Sequence, residues 1–322
     1  MNILLISPAP GHTLTGNRVT AVRWAGILRK LGHHVAIAQE YTGQKCDLLV
    51  AMHAGRSSPS VERFHRERPD DALILALTGT DLYDEIARIS SARQSLELAS
   101  HLIVLQPLGL TELPGHLRDK TRVIVQSAER PRIKVAPRKD VFEVCVMGHL
   151  RPVKDPFRTA KAVRLLPPTL PIRVLHVGAA LSEEMARQAR LESEANPRYE
   201  WLGEMPRWKA LRLLARSRVM VLTSQMEGGA NVISEALALG VPVLSSRIPG
   251  SIGLLGPDYP GYFGAGDTRA LATLLELVAT DTGFYKTLKE WGAELAPLVD
   301  PAREVQSWKS LLRELRLAAK ER

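Results

Sequence analysis

The stretch Glu227-Gly228-Gly229-Ala230-Asn231-Val232-Ile233-Ser234-Glu235 carries two carboxylates eight residues apart, directly after the apolar run Val219–Leu222. Glycines after a strand let the main chain approach a ligand closely. A helix rich in Ala and Leu, Ser234 to Leu239, follows before the next apolar run at Val241–Leu244. The start of such a helix offers N–H groups and the positive end of its dipole to an anion. Glu227 lies in the loop and can reach a sugar. Glu235 lies in the first turn or two of the helix. There it can accept from both hydroxyls of a ribose, because a carboxylate takes two donors at once. Gly228, Gly229, Ala230, Asn231 and Val232 are the candidate ligand contacts around the turn.

Three loops in the first half hold further candidates. Thr13, Gly16, Asn17 and Arg18 follow the first apolar run, Ile3–Ile6. Gly11 to Gly16 is neither a P-loop, since no Gly-Lys-Ser/Thr follows, nor a Gly-X-Gly-X-X-Gly fingerprint. His53 comes directly after the run Leu48–Met52, with Arg56-Ser57-Ser58 just beyond it. Thr78-Gly79-Thr80-Asp81 stands in the same relation to Leu73–Leu77. Each of these groups can bind an anionic acceptor or serve as a base. A structural histidine is the alternative for His53, and helix capping is the alternative for Asp81.

The elements that must position these residues read as two α/β series. In the first, short apolar runs lie at 3–6, 34–38, 48–52, 73–77, 102–105 and 123–125. A helical pattern from Val19 to Leu31 follows the first run and is stopped by Gly32. Residues 131–140, with Pro131 and Pro137, read as a linker. The second series has runs at 142–146, 172–177, 198–202, 219–222 and 241–244, the first three ending at Gly148, Gly178 and Gly203. Short runs without alternation, separated by helical patterns, predict parallel sheets covered on both faces. Two such halves imply a cleft at the carboxyl ends of both sheets. Pro301 to Arg322 reads as one amphipathic helix. The expected division is 1–135, 141–300 and a terminal helix 301–322.

Bulk properties narrow the function classes. A chain of 322 residues exceeds the size at which single cores stop growing, roughly 250–300 residues, so two domains are expected. Cys46 and Cys145 are far apart and form no metal-ligand cluster or disulfide framework, which fits a reduced, cytoplasmic setting. No signal peptide and no membrane-spanning run is evident. The net charge of +9 is spread, +5 over residues 1–138 and +4 over residues 139–322, and aromatics are 5% of the chain. Nucleic-acid binders concentrate charge on one face, so this distribution argues against one. Small anionic substrates or an anionic membrane surface are compatible with the excess.

Over nearly its whole length, and most specifically in its second half, the chain resembles the GT-B fold glycosyltransferases of the family-4 type, whose signature is two acids separated by seven residues, here Glu227 and Glu235. Gly148-His149-Leu150-Arg151-Pro152-Val153-Lys154 is similar to that family's diphosphate site, and Trp201 to Pro206 to its nucleobase strand and loop. Gly16 corresponds to the glycine turn after its first strand. The resemblance implies two Rossmann-like parallel-sheet domains facing a cleft, with the terminal helix packing back on the first. It implies that Arg151 and Lys154 hold the diphosphate of a sugar donor, with Gly148, Gly203, Glu204 and Met205 lining the nucleotide. Cations there would stabilise the leaving group as its charge grows. No Asp-X-Asp motif is required, so neither a metal nor another cofactor is expected.

A narrower likeness rests on Ala51 to Ser57, Leu77 to Tyr83 and Glu227 to Asn231. These segments resemble a small bacterial subgroup that includes the selenosugar synthase of the selenoneine pathway. That likeness implies UDP-N-acetylglucosamine as donor and selenophosphate as acceptor, with His53, Arg56 and Arg18 as the groups that would hold a dianion. Transfer to a hydroxyl of a lipid, glycan or metabolite, and nucleotide-sugar binding without turnover, remain the alternatives.

Overall fold

The structure, a computed structural model, describes residues 1–8, 15–130 and 135–320. By contact the chain forms two units. The first comprises Met1–Gln126, Glu227–Ala230 and Pro301–Arg322, and the second Ser127–Met226 and Asn231–Asp300. The passage into the second unit precedes the proline-bearing stretch, because Ala128 N already donates to Val299 O at 3.0 Å.

The first unit holds a parallel sheet in the order β2-β1-β3-β4-β5-β6. Its strands are β1 (Asn2–Ile6), β2 (His34–Ala38), β3 (Leu48–Met52), β4 (Ala72–Leu77), β5 (His101–Val104) and β6 (Thr121–Val123). All five residues of β3 are buried, as a strand covered on both faces requires. On one face Leu49, Leu75 and Leu102 pack with Phe64 and Leu96, from the helices Ser58–Glu67 and Ser90–Leu98. On the other face Leu5, Val50 and Ile74 pack with Trp24 and Trp308, from the helices Gly16–Lys30 and Pro301–Lys320.

The terminal helix is thus part of this core. The Trp24 and Trp308 rings meet edge to face with centroids 5.0 Å apart. Buried Glu304 accepts from Trp24 Nε1 at 2.7 Å and from Arg23 Nε at 3.0 Å.

The second unit repeats the design in the order β12-β11-β10-β7-β8-β9. Its strands are β7 (Phe142–Met147), β8 (Ile172–Val177), β9 (Tyr199–Trp201), β10 (Val219–Leu222), β11 (Val243–Ser246) and β12 (Tyr262–Phe263). Every pairing is parallel.

Several boundaries differ from the sequence reading by one to three residues. β6 begins two residues earlier than the run 123–125, although Ile124 N still extends the ladder to Val104 O. β11 begins at Val243 rather than Val241, because Pro242 has no N–H to donate; its carbonyl still accepts from Met220 N. The helix after the glycine turn begins at Asn231, three residues before Ser234. β12 has only two residues, too few to leave a pattern in the sequence.

In each sheet the order reverses once, between β1 and β3 and between β7 and β10. Loops at such a point leave on opposite sides of the sheet and open a crevice at the carboxyl ends of the strands.

The Trp308→Ala variant should lose about 3–5 kcal/mol, the usual cost of emptying an aromatic site in a core. Urea unfolding followed by circular dichroism measures this. An unchanged midpoint would show that the terminal helix is not part of the first unit's core.

Candidate active site

At the reversal in the second sheet, a pocket is lined by Gly148, His149, Lys154, His176, Thr223 and Ser224, among others. Gly148 to Lys154 is the loop after β7, and Thr223 and Ser224 follow β10. Arg151 is half-buried with extended backbone and precedes the short turn Pro152–Lys154. Its carbonyl accepts from Lys154 N at 3.0 Å. The two cations therefore sit on one tight turn.

That turn is anchored to the end of β10. Thr223 Oγ1 lies 2.8 Å from Lys154 O and 3.0 Å from Asp155 O, and Gln225 N donates to Val153 O at 2.8 Å. Asp155 is a non-glycine residue at φ 44°. The ion pair of its carboxylate with Arg158 Nε, 2.7 Å, stabilises that left-handed position. Lys154 thus projects from a backbone held at several points.

The floor of the loop is a buried polar network. His176 Nε2 is 3.0 Å from Gly148 O, and His176 Nδ1 is 2.9 Å from the Tyr199 hydroxyl. A carbonyl only accepts, so Nε2 carries the proton and Nδ1 accepts from Tyr199. Burial pushes the His176 imidazole down to about 4, which keeps it neutral and preserves that polarity. Trp201 Nε1 donates to Gly178 O at 2.9 Å, and Ala179 N donates to His149 Nδ1 at 3.1 Å. Gly178 has φ 154°, and a Cβ there would overlap the Gly148 carbonyl. Glycine is needed at 178 for the two loops to lie this close.

Glu235 is buried on the helix Asn231–Leu239, where Asn231 and Val232 form the first turn. It pairs with Arg207, whose Nη1 lies 2.5 Å from its Oε1. Gly203, at φ 69°, accepts from Gly178 N through its carbonyl at 2.9 Å. Exposed Glu204 and half-buried Met205 follow it.

The first unit assembles the other candidates. His53 follows β3 with φ 73°, a conformation that costs a non-glycine residue of order 1–3 kcal/mol and that clusters at functional positions. Its buried ring places Nε2 3.1 Å from Thr80 Oγ1 and 3.6 Å from Glu85 Oε1. Gly55 admits that carboxylate, because a Cβ at 55 would collide with Glu85 Oε2.

Asp81 has another place than an acceptor ligand would need. Its carboxylate is fully buried and accepts from Thr78 N, Gly79 N and Ala54 N at 2.7–3.1 Å. It joins the loops after β3 and β4, so its geometry supports a shaping role.

Arg56 is exposed beside this cluster. Gly16, Asn17 and Arg18 form the first turn of the helix Gly16–Lys30, so Gly16 begins a helix rather than standing in a free turn. Thr13 lies outside the described residues. The segment Glu227–Ala230 also counts with this unit. Gly228 abuts the Thr78 carbonyl and Gly79, and Gly229 abuts Leu105.

Sequence reasoning did not single out Glu85, Arg207, His176, Tyr199 or Thr223. His176 had a signal, an imidazole near the carboxyl end of the run 172–177, two residues before Gly178. The other four become visible only through their partners.

Among the described residues, no group of three His, Cys, Asp or Glu is placed to hold a metal ion, and no helix is long and apolar enough to cross a membrane.

The His176 imidazole titrates lower in the fold, about 4, than the ordinary 6.5. Its contribution to stability is therefore complete above pH 6.5 and is lost as the pH falls toward 4, by up to on the order of 3 kcal/mol. Urea midpoints of the wild type and of His176→Phe between pH 7 and 4 test this. The wild type should lose stability faster than the variant, and parallel curves would remove His176 as the cause.

Solved structures of like fold span nearly the whole chain. Sucrose-phosphate synthase from Thermosynechococcus elongatus superposes with TM-score 0.79 at 17% identity, covering 98% of this chain and 99% of that one. HepE of Anabaena in complex with UDP and glucose has TM-score 0.75 at 17% identity, covering 98% and 100%. An E. coli trehalose-6-phosphate protein bound with UDP-2-fluoro glucose has TM-score 0.75 at 10% identity, covering 98% and 99%. At these identities the likeness is one of fold, the GT-B arrangement of two Rossmann-like parallel sheets. A search of curated proteins found no significant match. Residues 127–294, just over half of the chain and the whole of the pocket just described, match the family of glycosyl transferases group 1, and the chain belongs to that family.

Proposed function

We propose that this glycosyltransferase moves a sugar from a UDP-sugar to a small anionic acceptor, with Arg151 and Lys154 gripping the departing diphosphate. The observation that carries the reading is the anchored turn 151–154 beside the pocket at the second sheet's reversal. Positioned cations lower the barrier when the leaving group gains negative charge, and they act best when their backbone need not reorganise. The N–H groups that open the helix Asn231–Leu239 add to this attraction. Glu235 takes the ribose hydroxyls and Glu227 the donor sugar. Gly203, Glu204 and Met205 line the base. UDP and UDP-glucose bound to proteins of the same fold support the choice of donor.

For the acceptor, the reading is selenophosphate, with N-acetylglucosamine as the sugar. Selenium attacks the anomeric carbon and forms a carbon–selenium bond. The bond from that carbon to the β-phosphate oxygen breaks, and its electron pair leaves on UDP. The segments 51–57 and 77–83 support this reading through their likeness to the selenosugar synthase subgroup, and Arg56 and Arg18 supply positive charge. A selenium nucleophile is already anionic and needs no base.

A hydroxyl acceptor is the second reading, and one observation favours it. The Glu85 carboxylate lies 3.6 Å from His53 Nε2, while His53 Nδ1 accepts from Arg56 N, and a carboxylate held beside a fixed ring in this way is suited to take the proton of a hydroxyl. In either case the enzyme works in the cytoplasm, without a divalent metal and without stable insertion into a membrane.

Mass spectrometry of products from UDP-N-acetylglucosamine and UDP-glucose, offered selenophosphate or a panel of hydroxyl acceptors, decides between the two. The Se-linked sugar phosphate is expected with equimolar UDP, or the selenosugar with equimolar UDP and phosphate where water then cleaves the phosphorus–selenium bond. Products from hydroxyls alone would replace the first reading with the second.

Arg151→Ala and Lys154→Ala should each lower kcat roughly 10²–10³-fold, while melting temperatures stay near that of the wild type. Undiminished turnover would place the diphosphate elsewhere. Turnover should also persist in excess EDTA, and its loss, restored by Mg²⁺, would refute the metal-free reading.

A further inference from the structure

Arg207 opens the helix Arg207–Arg216, whose first turn carries no acidic residue. A cation at that end meets the positive pole of the helix dipole. The helix's own electrostatics therefore disfavour this arginine. Its partner is on another element. Nη1 lies 2.5 Å from Oε1 of Glu235, on the helix Asn231–Leu239. The Glu235 side chain is 3% exposed and that of Arg207 is 40% exposed. A carboxylate that deep is costly to ionise unless a cation stands beside it. A charge-assisted hydrogen bond of this kind also fixes the orientation of the carboxylate.

We propose that Arg207 is a positioning residue for nucleotide recognition, holding the Glu235 carboxylate ionised and oriented for the vicinal hydroxyls of the ribose. This rests on the ribose role proposed above for Glu235. A carboxylate already charged and oriented loses less conformational freedom when the diol arrives, so affinity and selectivity for the diol both rise. The broken local rule at the start of the helix and the buried acid are thus two sides of one device. Because the guanidinium is at the surface, its removal should leave the fold standing.

The test is calorimetric titration with UDP and with 2′,3′-dideoxy-UDP, which lacks both hydroxyls. The proteins are wild type, Arg207→Ala, Arg207→Lys, Glu235→Ala and the double variant Arg207→Ala/Glu235→Ala. The wild type should prefer UDP over the dideoxy nucleotide by about tenfold or more. Arg207→Ala should lose most of that preference by weakening UDP alone, and Arg207→Lys should restore part of it. The double variant should bind UDP no more weakly than Glu235→Ala, since coupled residues are not additive. If Arg207→Ala keeps the preference, or weakens both nucleotides equally, the positioning role is wrong while Glu235 keeps its own. If neither the wild type nor Glu235→Ala distinguishes the two nucleotides, the ribose role of Glu235 falls, and this proposal falls with it.

Discussion

Parallel pairing is the constraint on which the rest of this molecule depends. In a parallel sheet every strand ends at the same edge, so the loops that follow the strands gather there by construction. Both sheets obey this without exception in their named strands. His53 follows β3, Thr80 follows β4, Gly148 to Lys154 follow β7, and Thr223 follows β10. Strand interiors such as Leu48–Met52 are apolar on both faces because helices cover both, which leaves chemistry to the strand ends.

A loop at a strand end is exact only if something fixes its backbone. The two units solve this in the same way, with a buried polar side chain that bonds the main chain of a neighbouring loop. In the first unit Asp81 joins the loops after β3 and β4. In the second, Thr223 joins the end of β10 to the turn that carries Lys154, and His176 holds the Gly148 carbonyl. Each group is buried and bonded, so none carries the penalty of an unsatisfied polar atom, and each opposes displacement of its loop. A burial that lowers the His176 pKa is part of the same economy, because only the neutral ring can donate to Gly148 and accept from Tyr199 at once.

Several charged groups near these strand ends are paired. Glu235 meets Arg207, and Asp155 meets Arg158. His53, held at a positive φ, lies close to Glu85. The terminal helix applies the same rule away from the site, where Glu304 is taken up by Arg23 and Trp24 in the core of the first unit.

What could be read from the chain alone was what depends on local order. Among the described residues, apolar runs of the right length marked eleven of the twelve strands. They failed only for Tyr262–Phe263, which is too short to show a period. Glycines at 148, 178 and 203 marked strand ends, and the spacing of Glu227 and Glu235 marked the turn and helix after β10. Those features follow from backbone geometry within a few residues, so the sequence carries them directly. The partners could not be read in this way. Arg207 and Glu235 are 28 positions apart in sequence, and Asp81 reaches back to Ala54. Which of two acids is buried, which loop a carboxylate binds and which ring is kept neutral depend on pairs brought together by strand order. That order is set by the packing of the whole sheet, and no local pattern records it.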